Sequence, residues 1–204
     1  MQGRLREQAP DDLKLIETLL WPVSPPRLAL HQARLKRGCA ALGVAAPDLA
    51  AALAGLPEGP LRVRVTVDLR GRVERVVALF VPESRGWRVV LRPGLESGDP
   101  WRGHKTTMRG LYDHARAALP PGADEAVLLN ERGEIADGTI TNVFVPRAGG
   151  LLTPPLASGC LPGVLRAELL AEGRAREVVL YPADLAAGFF VGNALRGLIA
   201  AALA

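Results

Sequence analysis

The stretch of sequence that decides the fold is NERGEIADGTITNVFVPRAGGLLTPPLASGCLPGVLR, residues 130–166. Short apolar runs alternate in it with turn residues, and the turn at Ala148–Gly150 predicts a hairpin between strands at 142–145 and 151–153. Apolar residues then recur at helical spacing, so a helix is expected to begin near Gly163 with its free backbone N–H groups pointing back toward the loop. Such a helix end can bind an anion, although the pattern alone is more typical of a structural turn with a solvated helix end.

The composition is that of a globular protein. The chain has 204 residues, 49% of them hydrophobic, which is enough for a buried core in one domain or two small ones. Basic and acidic residues are interleaved at a net charge of +4, and only 4% of residues are aromatic, so nucleic-acid binding is weakly supported. No apolar run reaches the roughly 18 residues of a membrane span, and the first residues lack an apolar signal-peptide core. We therefore expect a cytoplasmic protein without nucleic-acid or membrane partners.

The cysteines, histidines and serines favour none of the chemistries usually built on them. Cys39 and Cys160 lie far apart without a C-x-x-C motif, which predicts two buried thiols rather than a disulfide framework or a zinc site. His31, His104 and His114 show no ligand spacing, so no metal is expected. A G-x-S-x-G motif is absent from the sequence, and serine hydrolase chemistry is therefore discounted.

The N-terminal half predicts a sheet accompanied by two helices. Strands are predicted at 13–21, 61–69, 73–81 and 87–91, and helices at 28–43 and 48–56. Residues 61–69 alternate strictly, with Val63 and Val65 on one face and Arg62 and Arg64 on the other. The last three of these strands are expected to form one antiparallel N-terminal sheet.

The second half predicts a separate, β-rich subdomain. Residues 93–103, rich in Pro, Gly and Ser, are expected to link subdomains 1–95 and 96–204. The next segment, 106–119, has helical spacing and ends at Pro120. Further strands are predicted at 175–181 and 189–191, with a short helix or turn at 182–188 between them. Together these elements predict an α/β (α+β) fold, with an antiparallel N-terminal sheet and a β-rich C-terminal subdomain flanked by helices.

Short motifs follow one another in a fixed order along nearly the whole chain. They are Ile16–Leu19 (IETL), His31–Leu35 (HQARL), His104–Tyr112 (HKTTMRGLY), Asp137–Phe144 (DGTITNVF), Leu151–Pro155 (LLTPP), Leu161–Arg166 (LPGVLR) and Gly192–Gly197 (GNALRG). Their order and spacing resemble the class IV aminotransferase family, the fold-type IV pyridoxal phosphate enzymes. That family includes branched-chain and D-amino-acid aminotransferases and 4-amino-4-deoxychorismate lyase. The resemblance implies a D-amino-acid aminotransferase-like fold, with pyridoxal 5'-phosphate held at the interface of two subdomains.

The resemblance implies that Lys105 is the Schiff-base lysine and that Tyr112, near the same helix face, reaches the cofactor ring. By pattern alone Lys105 is an ordinary solvent-facing lysine and Tyr112 a core tyrosine. An amine must be neutral to form an imine, and a site that desolvates it beside other cations lowers its pKa toward that state.

The cofactor phosphate is implied to be bound by Arg34, because a planar guanidinium suits bidentate contact with an oxyanion. By periodicity alone Arg34 is a solvated charge on a helix. The backbone of Val164 and Leu165 at the predicted helix start and the side chain of Asn193 are implied to share the phosphate, and Asn142 is implied to lie in the same cofactor site.

The resemblance also implies that residues on one face of the N-terminal sheet contact the substrate. In relatives a basic residue at the position of Arg62 meets a substrate carboxylate, so Arg62, Arg64 and Thr18 are candidate substrate residues. A solvated sheet face explains the two arginines equally simply.

One departure from the family pattern concerns the residue that pairs with the pyridine nitrogen, which is normally Glu and is Asp137 here. A carboxylate at this place keeps the nitrogen protonated, so that the ring can accept electrons. Asp is one methylene shorter than Glu, so the ring lies closer, a water bridges the gap, or carbanion stabilisation is weaker.

The activity implied first is that of 4-amino-4-deoxychorismate lyase, which releases 4-aminobenzoate and pyruvate in folate biosynthesis. A small aminotransferase acting on branched-chain or D-amino acids, and a degenerate non-catalytic relative, are the alternatives. The expected partners are a small-molecule amine and a second copy of the chain, because members of the family are generally homodimers.

Overall fold

The computed structural model describes residues 4–204, which form two compact units. The N-terminal unit extends to Pro82 and includes His104–Met108. The C-terminal unit comprises Glu83–Gly103 and Arg109–Ala204. Each unit is built on its own β-sheet with accompanying helices, and the predicted α/β fold class is confirmed.

The N-terminal unit contains a three-stranded antiparallel sheet. Its strands, in spatial order, are β1 (Lys14–Trp21), β2 (Leu61–Asp68) and β3 (Val73–Leu79), and its helices are α1 (Arg4–Glu7), α2 (Pro25–Ala41) and α3 (Leu49–Leu53). The alternation of β2 buries Val63 and Val65 at 0% and 1% exposure and leaves Arg62 and Arg64 exposed, as predicted. The α2 helix packs against β1 and begins three residues earlier than predicted, because Pro25 opens its first turn, where a missing N–H costs nothing.

The C-terminal unit contains an eight-stranded sheet in the order β6-β5-β4-β11-β10-β7-β8-β9. Its strands are β4 (Trp87–Leu95), β5 (Glu125–Asn130), β6 (Ile135–Gly138), β7 (Asn142–Arg147), β8 (Gly150–Thr153), β9 (Ala175–Glu177), β10 (Phe189–Asn193) and β11 (Gly197–Leu203), and its helices are α4 (Gly110–Ala117) and α5 (Val164–Ala171). Strand side chains that are 0% exposed form the centre of its core: Val89, Val127, Ile135, Val143, Val145 and Val191.

Some sequence-based assignments are wrong. The strand predicted at 87–91 does not belong to the N-terminal sheet, since β4 pairs in parallel with β5 and β11 and continues to Leu95, inside the predicted linker. Apolar alternation identifies a strand but not its partner. The β11 strand was not predicted, because its alanines have low strand propensity.

The helix predicted at 106–119 begins only at Gly110. Thr106 instead bridges to Leu15 of β1, and the Thr107 N–H donates to the Lys14 carbonyl at 2.9 Å. These backbone groups are therefore engaged with β1 and unavailable for a first helical turn.

Both cysteines are free and buried, as predicted. Burial raises the pKa of Cys39 to about 11 and that of Cys160 to about 12, so both stay as thiols at neutral pH. Within residues 4–204, none of the helices combines the length and the apolar character needed to span a bilayer.

Candidate active site

A buried cluster of three polar side chains joins α2 to β1 in the N-terminal unit. Glu17 lies on β1 at 1% exposure, and His31 and Arg34 lie on α2 at 1% and 8%. The Glu17 carboxylate accepts from Arg34 Nε at 2.8 Å and from Arg34 Nη2 at 2.6 Å, and it lies 2.6 Å from His31 Nδ1. Gly38 lets the helix come this close, because a Cβ there would lie 2.6 Å from Leu15 Cδ2. Arg34 is thus a buried, paired residue and not the solvated charge that periodicity alone indicates.

The charges in this cluster are fixed by their contacts. Burial opposes ionisation of Glu17, but Arg34 and His31 outweigh it and hold the Glu17 pKa down at about 2. Burial lowers the pKa of His31, and the hydrogen bond that His31 donates to Glu17 acts in the other direction. A neutral His31 beside an ionised carboxylate must donate its Nδ1–H, so its Nε2 carries a lone pair. That Nε2 is buried and has no hydrogen-bond partner among residues 4–204.

Lys105 is held next to β1 by its own backbone. Its carbonyl accepts from the Ile16 N–H at 2.8 Å, and its side chain is half-buried. Together with Glu17 and Arg34, Lys105 borders a cavity of about 10 Å³. That volume suits one water molecule, so the cavity marks where these side chains approach one another and is not the seat of a cofactor.

The candidate substrate residues lie on the other face of this sheet. Thr18 pairs across the strands with Arg64, and Arg62 pairs with Leu20, whereas Glu17 pairs with Val65. Since neighbouring residues of a strand point to opposite faces, the structure separates these side chains from Glu17 and Arg34.

Asp137 is the centre of the candidate site in the C-terminal unit. It lies on β6 at 4% exposure, and each of its oxygens accepts a hydrogen bond. Asn142 Nδ2 donates to Oδ1 at 2.9 Å, and the Leu161 N–H donates to Oδ2 at 3.1 Å. The same Asn142 amide also donates to the Leu161 carbonyl at 3.0 Å, which closes a ring of bonds between β6, β7 and the loop before α5. Asn142 therefore orients Asp137, a role that the sequence alone did not separate from direct cofactor contact.

The α5 helix begins at this loop without a side-chain cap. Its N-cap is Gly163, and the first intrahelical bond runs from the Ala167 N–H to the Gly163 carbonyl at 2.9 Å. The N–H groups of Val164 and Leu165 precede that bond, and both residues are buried. A Cβ at position 163 would lie 1.9 Å from Asn142 Oδ1, so glycine is required there. Buried, uncapped N–H groups of this kind suit a phosphate.

Glu125 is a site-forming residue that the sequence analysis missed. It is 0% exposed, and its carboxylate accepts from the Thr139 N–H at 3.0 Å, the Ile140 N–H at 3.2 Å and Thr141 Oγ1 at 2.9 Å. These bonds fix the turn that joins the Asp137 strand to the Asn142 strand. Its only sequence signal is a charged residue at the start of an apolar run.

Tyr112 and Asn193 both have side-chain contacts within the C-terminal unit. The Tyr112 ring lies 5.2 Å from the guanidinium carbons of both Arg102 and Arg109, and burial and Asp137 raise its pKa to about 12. Asn193 Oδ1 accepts from the Leu195 N–H at 3.0 Å, and its Nδ2 donates to the Ile140 carbonyl at 3.0 Å. The Asn193 side chain thus closes its own turn and shapes the loop.

In each unit the groups suit pyridoxal 5'-phosphate by their chemistry. In the N-terminal unit a lysine suits the aldehyde and a buried arginine the phosphate; in the C-terminal unit an acid with both oxygens oriented suits the ring nitrogen and an uncapped helix start the phosphate. Gly192 lets its strand lie close to Gly197 and to the Leu165 side chain of α5. A Cβ there would lie 2.7 Å from the Gly197 carbonyl oxygen and 3.0 Å from Leu165 Cδ2.

Comparison with known proteins agrees with this chemistry. The family model "Amino-transferase class IV" matches residues 14–203. The chain belongs to the class IV aminotransferases. Members of this family use pyridoxal phosphate, and the fold and cofactor implied by the sequence motifs are thereby confirmed.

Similar proteins are named either as aminotransferases or as aminodeoxychorismate lyases. A solved structure of a putative amino-acid aminotransferase from Mesorhizobium loti is 43% identical, with a TM-score of 0.87 over 95% of this chain and 100% of that one. A solved putative 4-amino-4-deoxychorismate lyase is 27% identical, with a TM-score of 0.76 over 93% of this chain and 84% of that one. A putative aminodeoxychorismate lyase of Schizosaccharomyces pombe is 28% identical over 82% of this chain and 77% of its own length.

Proposed function

We propose that this class IV enzyme is a 4-amino-4-deoxychorismate lyase. The observation that carries the proposal is Asp137, a short carboxylate with a donor on each oxygen. It accepts from Asn142 at 2.9 Å and from the Leu161 N–H at 3.1 Å, so it is fixed in place. The lyase reaction ends in an aromatic product, and that gain lowers the demand on the ring as an electron acceptor. A reaction of this kind tolerates the change from Glu to Asp best.

Each residue has a separate task in the proposal. Pyridoxal phosphate, once bound, supplies the electron sink for proton removal beside the substrate amine. Lys105 would hold the cofactor covalently until the substrate amine takes its place; the freed Lys105 amine would then accept the proton from the amine-bearing carbon, which requires a neutral amine within about 3 Å. Asp137 holds a proton on the ring nitrogen. Arg34 and the N–H groups of Val164 and Leu165 bind the phosphate.

Further features of the proposal rest on the family resemblance alone. Arg62, Arg64 and Thr18 are proposed to face the substrate, whose carboxylates suit arginine. Tyr112 is proposed to contact the cofactor ring. The enzyme is proposed to act in the cytoplasm as a homodimer.

An aminotransferase is the second candidate, supported by the 43% identity to the Mesorhizobium loti protein over 95% of the chain. An aminotransferase consumes two substrates instead of one, because it must pass the amino group of the first to a keto acid. With 4-amino-4-deoxychorismate as the sole substrate, we expect equal amounts of 4-aminobenzoate and pyruvate. Turnover that appears only when an amino acid and a keto acid are both present would favour the aminotransferase. A protein that binds the cofactor but turns over neither would be a non-catalytic relative.

The covalent link provides the first specific prediction. The sequence contains only three lysines, Lys14, Lys36 and Lys105. Borohydride reduction of the cofactor-loaded protein, followed by peptide mapping, should place the phosphopyridoxyl group on Lys105. Lys105→Ala should lose both the label and the lyase activity, whereas the exposed-site control Lys36→Ala should keep both. Label on Lys14 or Lys36 in the wild-type protein would remove the basis of the assignment.

A further inference from the structure

Arg34 is oriented by the interior of the protein and not by solvent. Its Nε and Nη2 donate to the two oxygens of Glu17 at 2.8 and 2.6 Å. Two parallel bonds of this kind fix both the position and the plane of a guanidinium. Within residues 4–204 Nη1 takes part in no hydrogen bond, so it is the nitrogen available to a ligand.

Glu17 is itself held from a second side. His31 Nδ1 lies 2.6 Å from Glu17 Oε2, the same oxygen that Arg34 Nη2 contacts. His31 and Arg34 are three residues apart on α2 and therefore lie on the same face of the helix. The Glu17 carboxylate on β1 thus accepts hydrogen bonds from both side chains.

Stability alone does not explain this buried network. Removing a carboxylate and a guanidinium from water is costly, and apolar side chains of similar volume often stabilise a core at least as well. At 1% and 8% exposure, Glu17 and Arg34 are both almost completely removed from water. Both also border the small cavity next to Lys105, which places the network at the candidate active site of its unit.

We propose that Glu17 is a positioning residue for phosphate recognition, which sets the plane in which Arg34 presents Nη1 to the cofactor phosphate, and that His31 holds Glu17 in that position. This inference rests on the proposed phosphate contact of Arg34. Neither Glu17 nor His31 touches the cofactor in it, so their effect must pass through Arg34.

The experiment compares two ligands that differ only in the phosphate. Dissociation constants are measured for pyridoxal 5'-phosphate and for pyridoxal, using wild-type protein, Glu17→Gln, Arg34→Ala and the double variant. Gln offers one acceptor oxygen in place of two, so the guanidinium loses its second bond. Glu17→Gln should weaken pyridoxal 5'-phosphate at least about tenfold and pyridoxal less than about twofold, the size of effect known for residues that orient a ligating group. The double variant should bind pyridoxal 5'-phosphate no more weakly than Arg34→Ala does.

His31 provides a second test that does not depend on the stability of Glu17→Gln. His31→Asn keeps a donor at the place of Nδ1 and should keep the preference for the phosphorylated ligand, while His31→Leu should lose it. The ³¹P chemical shift of the bound cofactor should move in His31→Leu and in Glu17→Gln. The exposed Glu58→Gln is the control and should match wild type.

Three results would overturn the inference. One is a Glu17→Gln protein that retains the wild-type preference for the phosphorylated ligand, another is equal weakening of both ligands, and the third is additive losses in the double variant. A wild-type protein that does not bind pyridoxal 5'-phosphate would instead sink the proposed function, and this inference with it.

Discussion

Asp137 is the residue on which the proposed chemistry depends most. Asp137→Ala removes the acceptor for Asn142 and for the Leu161 N–H, and it removes the charge proposed to face the ring nitrogen. We expect lyase turnover to fall by at least about two orders of magnitude, the scale of losing one preorganised electrostatic contact. The cofactor should remain bound, because Lys105 and the phosphate contacts are proposed to hold it independently of Asp137. Turnover and the absorbance of bound cofactor measure the two effects.

The controls for Asp137 separate charge from shape. Asp137→Glu should be tolerated, and the exposed Asp11→Ala should behave as wild type. If Glu at this position raises an aminotransferase half-reaction and barely changes the lyase rate, the shorter carboxylate tunes the ring away from carbanion chemistry. Wild-type turnover in Asp137→Ala with cofactor bound would make this carboxylate a turn residue only.

Single residues show the limit of what sequence patterns can establish. Arg34 has the periodicity of a solvated helix charge, and its burial follows from Glu17, a residue on a different element. Glu125 has no motif of its own, yet it fixes the turn at Thr139. Partners that are remote in sequence decide both cases, and spacing along one element carries no information about them.

At the scale of an element, the start of α5 makes a specific prediction. A Cβ at Gly163 would lie 1.9 Å from Asn142 Oδ1, so Gly163→Ala must displace Asn142 and break its bond to Asp137. We expect a loss of about 2–3 kcal/mol in the free energy of unfolding, in the upper range for single substitutions. Denaturant unfolding measures it.

Two variants test the cause of that loss. Gly110→Ala, at the first residue of α4, has open space around the new Cβ and should change stability by less than about 1 kcal/mol, if anything upward. Asn142→Ala should cost less in the Gly163→Ala background than alone, because it removes the clash. Fully additive losses would mean that the glycine is needed for another reason.

The elements also differ in how far the sequence predicts them. The strand β2 and the start of α5 are confirmed, because strict alternation and the Pro-Gly dipeptide are local signals. The strand β4 was placed in the wrong sheet, because its partners β5 and β11 are distant in sequence. The backbone before α4 follows β1 instead of continuing the helical pattern, and only a tertiary contact reveals that.

For the whole molecule, the Glu17 network predicts how stability depends on acid. The folded pKa of Glu17 is about 2, below the ordinary 4.5, so its contribution is complete above pH 4.5 and is lost as the pH falls toward 2. Burial lowers the pKa of His31 below 6.5, so its contribution is likewise present above that pH and fades below it.

Measuring the free energy of unfolding as a function of pH tests these two contributions. Wild type should lose stability in two stages, the first below pH 6.5 and the second below pH 4.5. His31→Asn should make the first stage smaller, and a remainder should persist because burial also lowers the pKa of His104 below 6.5. An identical acid limb in wild type and His31→Asn would show that His31 titrates alike in the folded and unfolded chain.

The position of β11 in the eight-stranded sheet affects how the protein is made in the cell. This strand lies between β4 and β10, and its Ala201 pairs with Trp87. While the chain emerges from the ribosome, β4 has been synthesised long before Gly197–Leu203 exist, so one of its edges stays open throughout that time. An open apolar edge attracts other nascent chains, and sheets closed by such distant segments fold slowly. Chaperone binding during translation should therefore concentrate on the C-terminal unit, and it should end only after residues 197–203 have left the exit tunnel.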